Sequence, residues 1–229
     1  MGSEGFGPRV VFNIGGIPVS ETVTVTWFIM ALITIFCIVA THKMKKVPKG
    51  VQLIGEQFVK TITNMTITNM GEKNVGFAPY IGALFLFLAL ANIAGLVGLR
   101  PPTSDLNLTL CLSIITFLLT QFFGLKSKGL KGYIGGFFQP LPFLLPLNIV
   151  GELANPVSLA FRLFGNVVAG VIIMTLVYSG LASLFNLAVP IFQLGFPVAL
   201  HVYFDLFSGL LQSFIFTMLT MVFISGAME

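Results

Sequence analysis

Arg162 is the side chain whose presence most demands a function. It sits in the run Ser158-Leu-Ala-Phe-Arg-Leu-Phe-Gly-Asn166 and is the one basic residue between Lys131 and the C-terminus. A guanidinium at the centre of a bilayer costs from about 3 to more than 10 kcal/mol, so it must face a polar cavity or a partner's opposite charge. Snorkelling to an interface is the alternative, and the mid-helix position of Arg162 speaks against it. Asn155, Ser158 (or Leu159), Arg162, Asn166 and Gly170 recur at i, i+3, i+7, i+11 and i+15, which sets them along one helix face. A second polar series, His201, Asp205, Ser208 and Gln212, falls at i, i+4, i+7 and i+11 in an otherwise apolar run, with Gly209 adjoining. Two apolar helices that each carry one polar seam bury those seams together or against water, and water along them makes a path for ions. Interhelical packing bonds, about 0.6–2 kcal/mol each in membranes, account equally well for Asn155, Ser158 and Ser208. They do not account for Asp205 or Arg162.

Such seams need helices that cross a membrane, and the composition supplies them. Of 229 residues, 56% are hydrophobic and 9% charged, with a mean hydropathy of +0.98. A soluble domain carries roughly a quarter charged residues. Twenty-four Phe against twelve Lys plus Arg cannot cover a water-facing surface. The net charge of +4 and pI near 9.2 come from basic residues gathered beside apolar spans, which is membrane orientation rather than nucleic-acid binding. Cys37 and Cys111 lie inside apolar runs and behave as small hydrophobes, so neither a disulfide framework nor a metal site is indicated. No cofactor is implied. Met1 to Ser20 lacks the basic start and apolar centre of a cleaved signal, so the first span is expected to be retained.

The expected fold is an all-α integral membrane protein, one membrane domain over residues 1–229. About five membrane helices and one interfacial amphipathic helix make it up, the last two spans forming a long tilted hairpin. An outer segment covers 1–21, and the first span covers 22–40 with Trp27 in the interfacial belt. His42, Lys43, Lys45, Lys46 and Lys49 follow it and place that end in the cytoplasm, the N-terminus outside. Residues 50–70 mix apolar positions with Gln52, Glu56, Gln57 and Lys60, too polar to span, and predict the interfacial helix. A second span covers 79–99, polar only at Asn92, and Arg100-Pro101-Pro102 ends it outside. A third covers 106–125, opened by Thr103-Ser104-Asp105 as N-caps and closed by Lys126, Lys128 and Lys131 in the cytoplasm. Of the twelve basic residues only Arg9 and Arg100 fall on the outer side, with Arg162 in neither loop set. Pro140, Pro142 and Pro146 are expected to break the chain before the hairpin, 147–227, whose two helices are long enough to require steep tilt or curvature. The C-terminus then lies in the cytoplasm.

Pro156-Val-Ser-Leu-Ala-Phe-Arg-Leu-Phe-Gly-Asn166, then Ala169-Gly170, then Gln212-Ser-Phe-Ile-Phe-Thr-Met-Leu219 together resemble subunit a of the membrane sector of F-type bacterial ATP synthase. Asp105-Leu-Asn-Leu-Thr109 and Pro146-Leu-Asn-Ile-Val-Gly-Glu152 extend the likeness to about residues 71–224. The resemblance implies a non-catalytic, ion-translocating stator subunit in a bacterial inner membrane. Its partners would be the c-subunit ring, the peripheral-stalk b subunits and the rest of the complex, and its cargo H+ or Na+. It further implies that Arg162 faces the ring carboxylates with Gln212 beside it, that Asn166 lines the same seam, and that Glu152 and Asp205 belong to aqueous half-channels. Glu152 has a simpler alternative as a helix N-terminal charge favoured by the macrodipole.

The chain departs from the family pattern at Val171, where many proton-driven relatives carry Glu paired with a His or acidic residue at the position of Asp205. A proton relay can still run on Asp205, His201 and water, and a channel with fewer titrating groups also suits sodium. Both ions stay open. A stand-alone secondary transporter or channel with Arg162 as anion counter-charge is the competing reading; it calls for repeat-related halves, which the sequence lacks. No P-loop, His-Glu-x-x-His or Gly-x-Ser-x-Gly motif points to an enzyme.

Overall fold

A computed structural model describes residues 10–14, 16–42, 44–138, 142–184 and 197–229. Among the described residues the protein is all-α apart from one short hairpin, and five helices are long and apolar enough to cross a membrane. We number the helices α1 (Glu21–Thr41), α2 (Val51–Met70), α3 (Ala78–Ile93), α4 (Leu106–Phe137), α5 (Leu145–Leu184) and α6 (Pro197–Met228). All but α2 are spans.

Packing sets α3 and α6 at the centre. Leu84 and Leu88 of α3 meet Leu159 and Leu163 of α5 and Phe216 of α6 in one buried cluster. Ile62 and Met70 of α2 join Ile81 of α3 and Met221 and Ile224 of α6 in another. The polar-looking α2 is thus docked on the bundle by a face of Ile62, Thr66 and Met70, while Leu53, Ile54 and Val59 stay exposed. At the edge, α1 touches α3 through Val25, Ile29 and Ala91 and leaves most of its apolar surface open, as a lipid-facing span does.

Four features differ from the sequence-based expectation. The N-terminal segment holds an antiparallel hairpin, β1 (Val10–Ile14) and β2 (Ile17–Ser20), whose strands carry the β-branched residues that favour pairing. Helix α4 runs past residue 125 and is broken at Gly129, whose φ of 69° suits a residue without Cβ. The chain breaks before the hairpin as expected, α4 ending at Phe137 and Pro142 lying in a 3-10 turn (Pro142–Leu144), but α5 starts at Leu145 and takes two prolines into the helix. Pro146 is the second residue of α5, where an N–H has no intrahelical partner, and Pro156 lies inside the helix, leaving the Glu152 carbonyl without its usual donor. Pro140 lies outside the described residues. Finally, α6 is π-helical over Val202–Ser208 before continuing as an α-helix over Gly209–Met228.

The expected N-cap is present, since Asp105 Oδ1 accepts a 3.0 Å hydrogen bond from the Asn107 amide. At 1.5 Å per residue α5 reaches roughly 60 Å and α6 roughly 48 Å, lengths that a bilayer accommodates only if both tilt or curve. Residues 185–196, between them, lie outside the described residues.

A candidate ion-translocation site

Helix α5 carries Arg162 on its exposed side, beside Phe161, Ser158 and Val157, and no hydrogen bond or ion pair to the guanidinium occurs among the described residues. At about 100° per residue, Arg162 stands roughly 60° round the helix from Leu159 and 40° from Asn166. Leu159 is buried and Asn166 half-buried, so Arg162 sits at the rim where the outward face of α5 meets its packed face. The stripe read from spacing therefore does not keep one environment. Asn155 and Ser158 are exposed, Asn166 is half-buried, and Gly170 is buried against Phe204 of α6, where an added Cβ would lie 3.5 Å from the Phe204 Cβ.

Beyond Arg162, the two seams join. Ser208 Oγ donates to Asn166 Oδ1 at 2.9 Å, and Asn166 Nδ2 donates to the Ser208 carbonyl at 3.4 Å. One turn of α6 earlier, His201 Nδ1 and Asp205 Oδ2 are 2.8 Å apart, both side chains partly exposed. The carboxyl of Asp205 rests against Gly95 at the end of α3, where a Cβ would come within 3.2 Å of its Cγ. His201, Asp205 and Ser208 all belong to the π-helical stretch or its borders. A π turn closes its bonds one residue later than an α turn, which re-aims the side chains on either side of it.

Gln212, the fourth member of the second seam, is buried where the other three are partly exposed. It is 5% exposed and its buried Nε2 has no hydrogen-bond partner among the described residues. Gln212 and Arg162 share no hydrogen bond among the described residues.

At the opposite end of α5, a cavity of about 590 Å³ opens between α4, α5 and α6, lined by Glu152, Asn148 and Asn155 of α5 and by Ser113, Thr120 and Lys128 of α4. Glu152 Oε2 accepts a 3.2 Å hydrogen bond from Gln121 Nε2, and Tyr133 donates its hydroxyl proton to Gln121 Oε1. Ser113 donates to the Pro156 carbonyl, tying α4 to α5 beside the helix-interior proline. Polar groups thus gather at both ends of the α5–α6 pair. Between them the interior is closed by Leu163 and Phe216, both without exposure.

Sequence reasoning did not assign a role to Asn92, Gln121 or Tyr133, and it read Thr103 as a helix N-cap, whereas the Thr103 hydroxyl donates to Asn92. Asn92 is the buried hub of α3: its Nδ2 donates to the Gly209 carbonyl and to Ser213 Oγ, each at 2.9 Å, and its Oδ1 accepts from Thr103 Oγ1 at 2.6 Å. Its signal was its solitude, one amide in a span of apolar residues, where every buried polar group needs partners. Among the described residues no cluster of His, Cys, Asp and Glu could hold a metal.

The sequence profile described as ATP synthase A chain matches residues 23–225, which contain the whole of this arrangement. The chain belongs to the ATP synthase A chain family. Relatives agree over nearly the full length. ATP synthase subunit a of Moorella thermoacetica is 36% identical over 220 residues, covering 96% of this chain and 95% of that protein. A Propionigenium modestum protein described as ATP synthase subunit a, sodium ion specific, is 34% identical over 241 residues, covering 97% of this chain and 78% of its own length. ATP synthase subunit a of Legionella pneumophila (strain Philadelphia 1) is 33% identical over 232 residues, covering all of this chain and 95% of its own. Membership of the A chain family, with five apolar helices, makes this a multi-pass membrane component of an ATP synthase, a complex of several subunits.

Proposed function

We propose that this chain is the ion-conducting stator subunit of its ATP synthase, non-catalytic itself, and that Arg162 faces the membrane-embedded carboxylates of a c-subunit ring. The observation that carries the reading is the environment of Arg162: a guanidinium without a partner among the described residues, on the outward face of a membrane helix, flanked by Val157 and Phe161. Lipid cannot satisfy it, and an anionic partner alongside α5 can.

Polar groups at the two ends of the α5–α6 pair serve as half-channels in this reading. One is formed by His201, Asp205, Ser208 and Asn166, the other by the cavity that holds Glu152. The exposed lysines 45, 46 and 49 after α1 and 126, 128 and 131 on α4 support a cytoplasmic location for the Glu152 end, with the N-terminus outside and the C-terminus inside a bacterial cell membrane. An ion enters one half-channel, neutralises a ring carboxylate, rides round through lipid and leaves by the other when the carboxylate reaches Arg162. An ionised carboxylate is prohibitive in lipid but favoured opposite Arg162, so the ring turns only when loaded and the arginine blocks a direct leak. A membrane potential of 100 mV contributes about 2.3 kcal/mol per charge and biases the direction. Other contacts of the chain go to the peripheral-stalk b subunits.

Arg162→Ala is expected to reduce ATP synthesis in inverted vesicles to background in a fully assembled complex; measurable coupled synthesis overturns the assignment. The cargo is H+ or Na+. Asp205 and His201 support a proton relay, while Val171 in place of a titrating group supports sodium. Stimulation of ATP hydrolysis by Na+ at fixed pH distinguishes the two.

A further inference from the structure

We infer that Gln121 and Tyr133 are positioning residues for Glu152, holding its carboxyl group turned towards the cavity at the cytoplasmic end of α5. The inference rests on the reading of that cavity as an access path. Its geometric basis is independent of Arg162.

Gln121 and Tyr133 are twelve residues apart, which in a continuous helix puts them about 18 Å apart along the axis. The break at Gly129 folds the rest of α4 back, so that the Tyr133 hydroxyl reaches the Gln121 amide. A second glycine makes room for this. A Cβ on Gly124 would lie 3.1 Å from the Tyr133 ring and 3.2 Å from the Ala227 Cβ, so a larger residue would press on both neighbours.

A glutamine side chain has one accepting and one donating end. Tyr133 occupies the accepting oxygen, which leaves Nε2 to face Glu152 Oε2 at 3.2 Å. Without the hydroxyl, the amide is free to rotate and turn its oxygen on the carboxylate, replacing a charge-assisted hydrogen bond by repulsion. Lys128 and Tyr133 are the other titratable groups that line the cavity, and α6 contributes Val222, Phe223, Gly226 and Ala227, none of which can substitute for the amide. The hydrogen bond that Glu152 receives from α4 thus depends on two side chains, Gln121 directly and Tyr133 through it.

The test uses complete ATP synthase in inverted membrane vesicles, where ATP hydrolysis draws the cation in through this end. Uptake is measured against pH at fixed Na+ and against Na+ at fixed pH. Tyr133→Phe and Gln121→Leu are each expected to raise the half-saturating cation concentration by about threefold to tenfold, with the maximal rate held within about twofold. Glu152→Gln is expected to shift it at least as far, and Tyr133→Phe added to Glu152→Gln to change nothing more. Should Gln121→Leu fail to assemble, Tyr133→Phe decides, because it keeps the ring in place against Gly124. A normal half-saturation in both α4 variants beside a shifted Glu152→Gln overturns the positioning role and spares the access path. A normal value in Glu152→Gln overturns both. An effect of Tyr133→Phe that persists undiminished in the Glu152→Gln background reduces Tyr133 to packing and overturns the inference.

Discussion

Ser208 Oγ donates to Asn166 Oδ1 across 2.9 Å, tying the end of the π-helical stretch of α6 to the turn of α5 just beyond Arg162. This bond makes the height of Arg162 along α5 and the aim of Asp205 on α6 parts of one rigid unit. Ser208→Ala is expected to lower ATP-driven ion uptake by about twofold to threefold, in line with the roughly 0.6 kcal/mol of an interhelical bond in a membrane. Asn166→Leu removes both contacts to Ser208 and is expected to lower it further. Uptake by vesicles of matched enzyme content provides the measurement, and wild-type rates in both variants refute the coupling.

The His201–Asp205 pair sets an imidazole 2.8 Å from a carboxyl group that rests against Gly95. Asp205→Asn keeps the shape and removes the charge, so transport is expected to fall severalfold while assembly is retained. Rates equal to wild type at every pH tested assign Asp205 to packing alone.

Gly209 approaches Asn92 so closely that a Cβ would stand 2.9 Å from the Asn92 Cβ. Gly209→Ala must push α3 from α6 or break the Asn92 hydrogen bonds, at a cost of about 1–3 kcal/mol for overpacking. Gly170→Ala meets Phe204 at an ordinary 3.5 Å and is expected to cost little. Thermal inactivation of the two detergent-solubilised complexes should separate them, Gly209→Ala losing activity first.

Gln212 is buried with an amide nitrogen unpartnered among the described residues, a state that penalises a chain by about 1–3 kcal/mol. Gln212→Leu has similar volume and no polar atom, so stability of the complex is expected to be unchanged or raised. Coupled synthesis is expected to fall less than in Arg162→Ala. A loss of synthesis as complete as that of Arg162→Ala assigns Gln212 an indispensable part in ion transfer.

Composition and period alone determined much of this protein. Low charge and long apolar runs leave lipid as the only solvent for most side chains, so the spans and their approximate limits come from hydrophobic thickness. The isolation of Arg162 and the order of the motifs around it identify the family, because charge inside such a run is too costly to be incidental. Side-chain environment was decided only by the packed structure. Helical spacing groups Arg162 with Asn166 and Asp205 with Gln212, yet a rotation of tens of degrees about a helix axis separates an exposed guanidinium from a half-buried amide. The π turn, invisible in an apolar sequence, rotates Gln212 and the rest of α6 by a further residue relative to His201. The chain reversal at Gly129 depends on contacts between residues far apart in sequence, so Tyr133 and Gln121 meet Glu152 only once α4 and α5 are packed together.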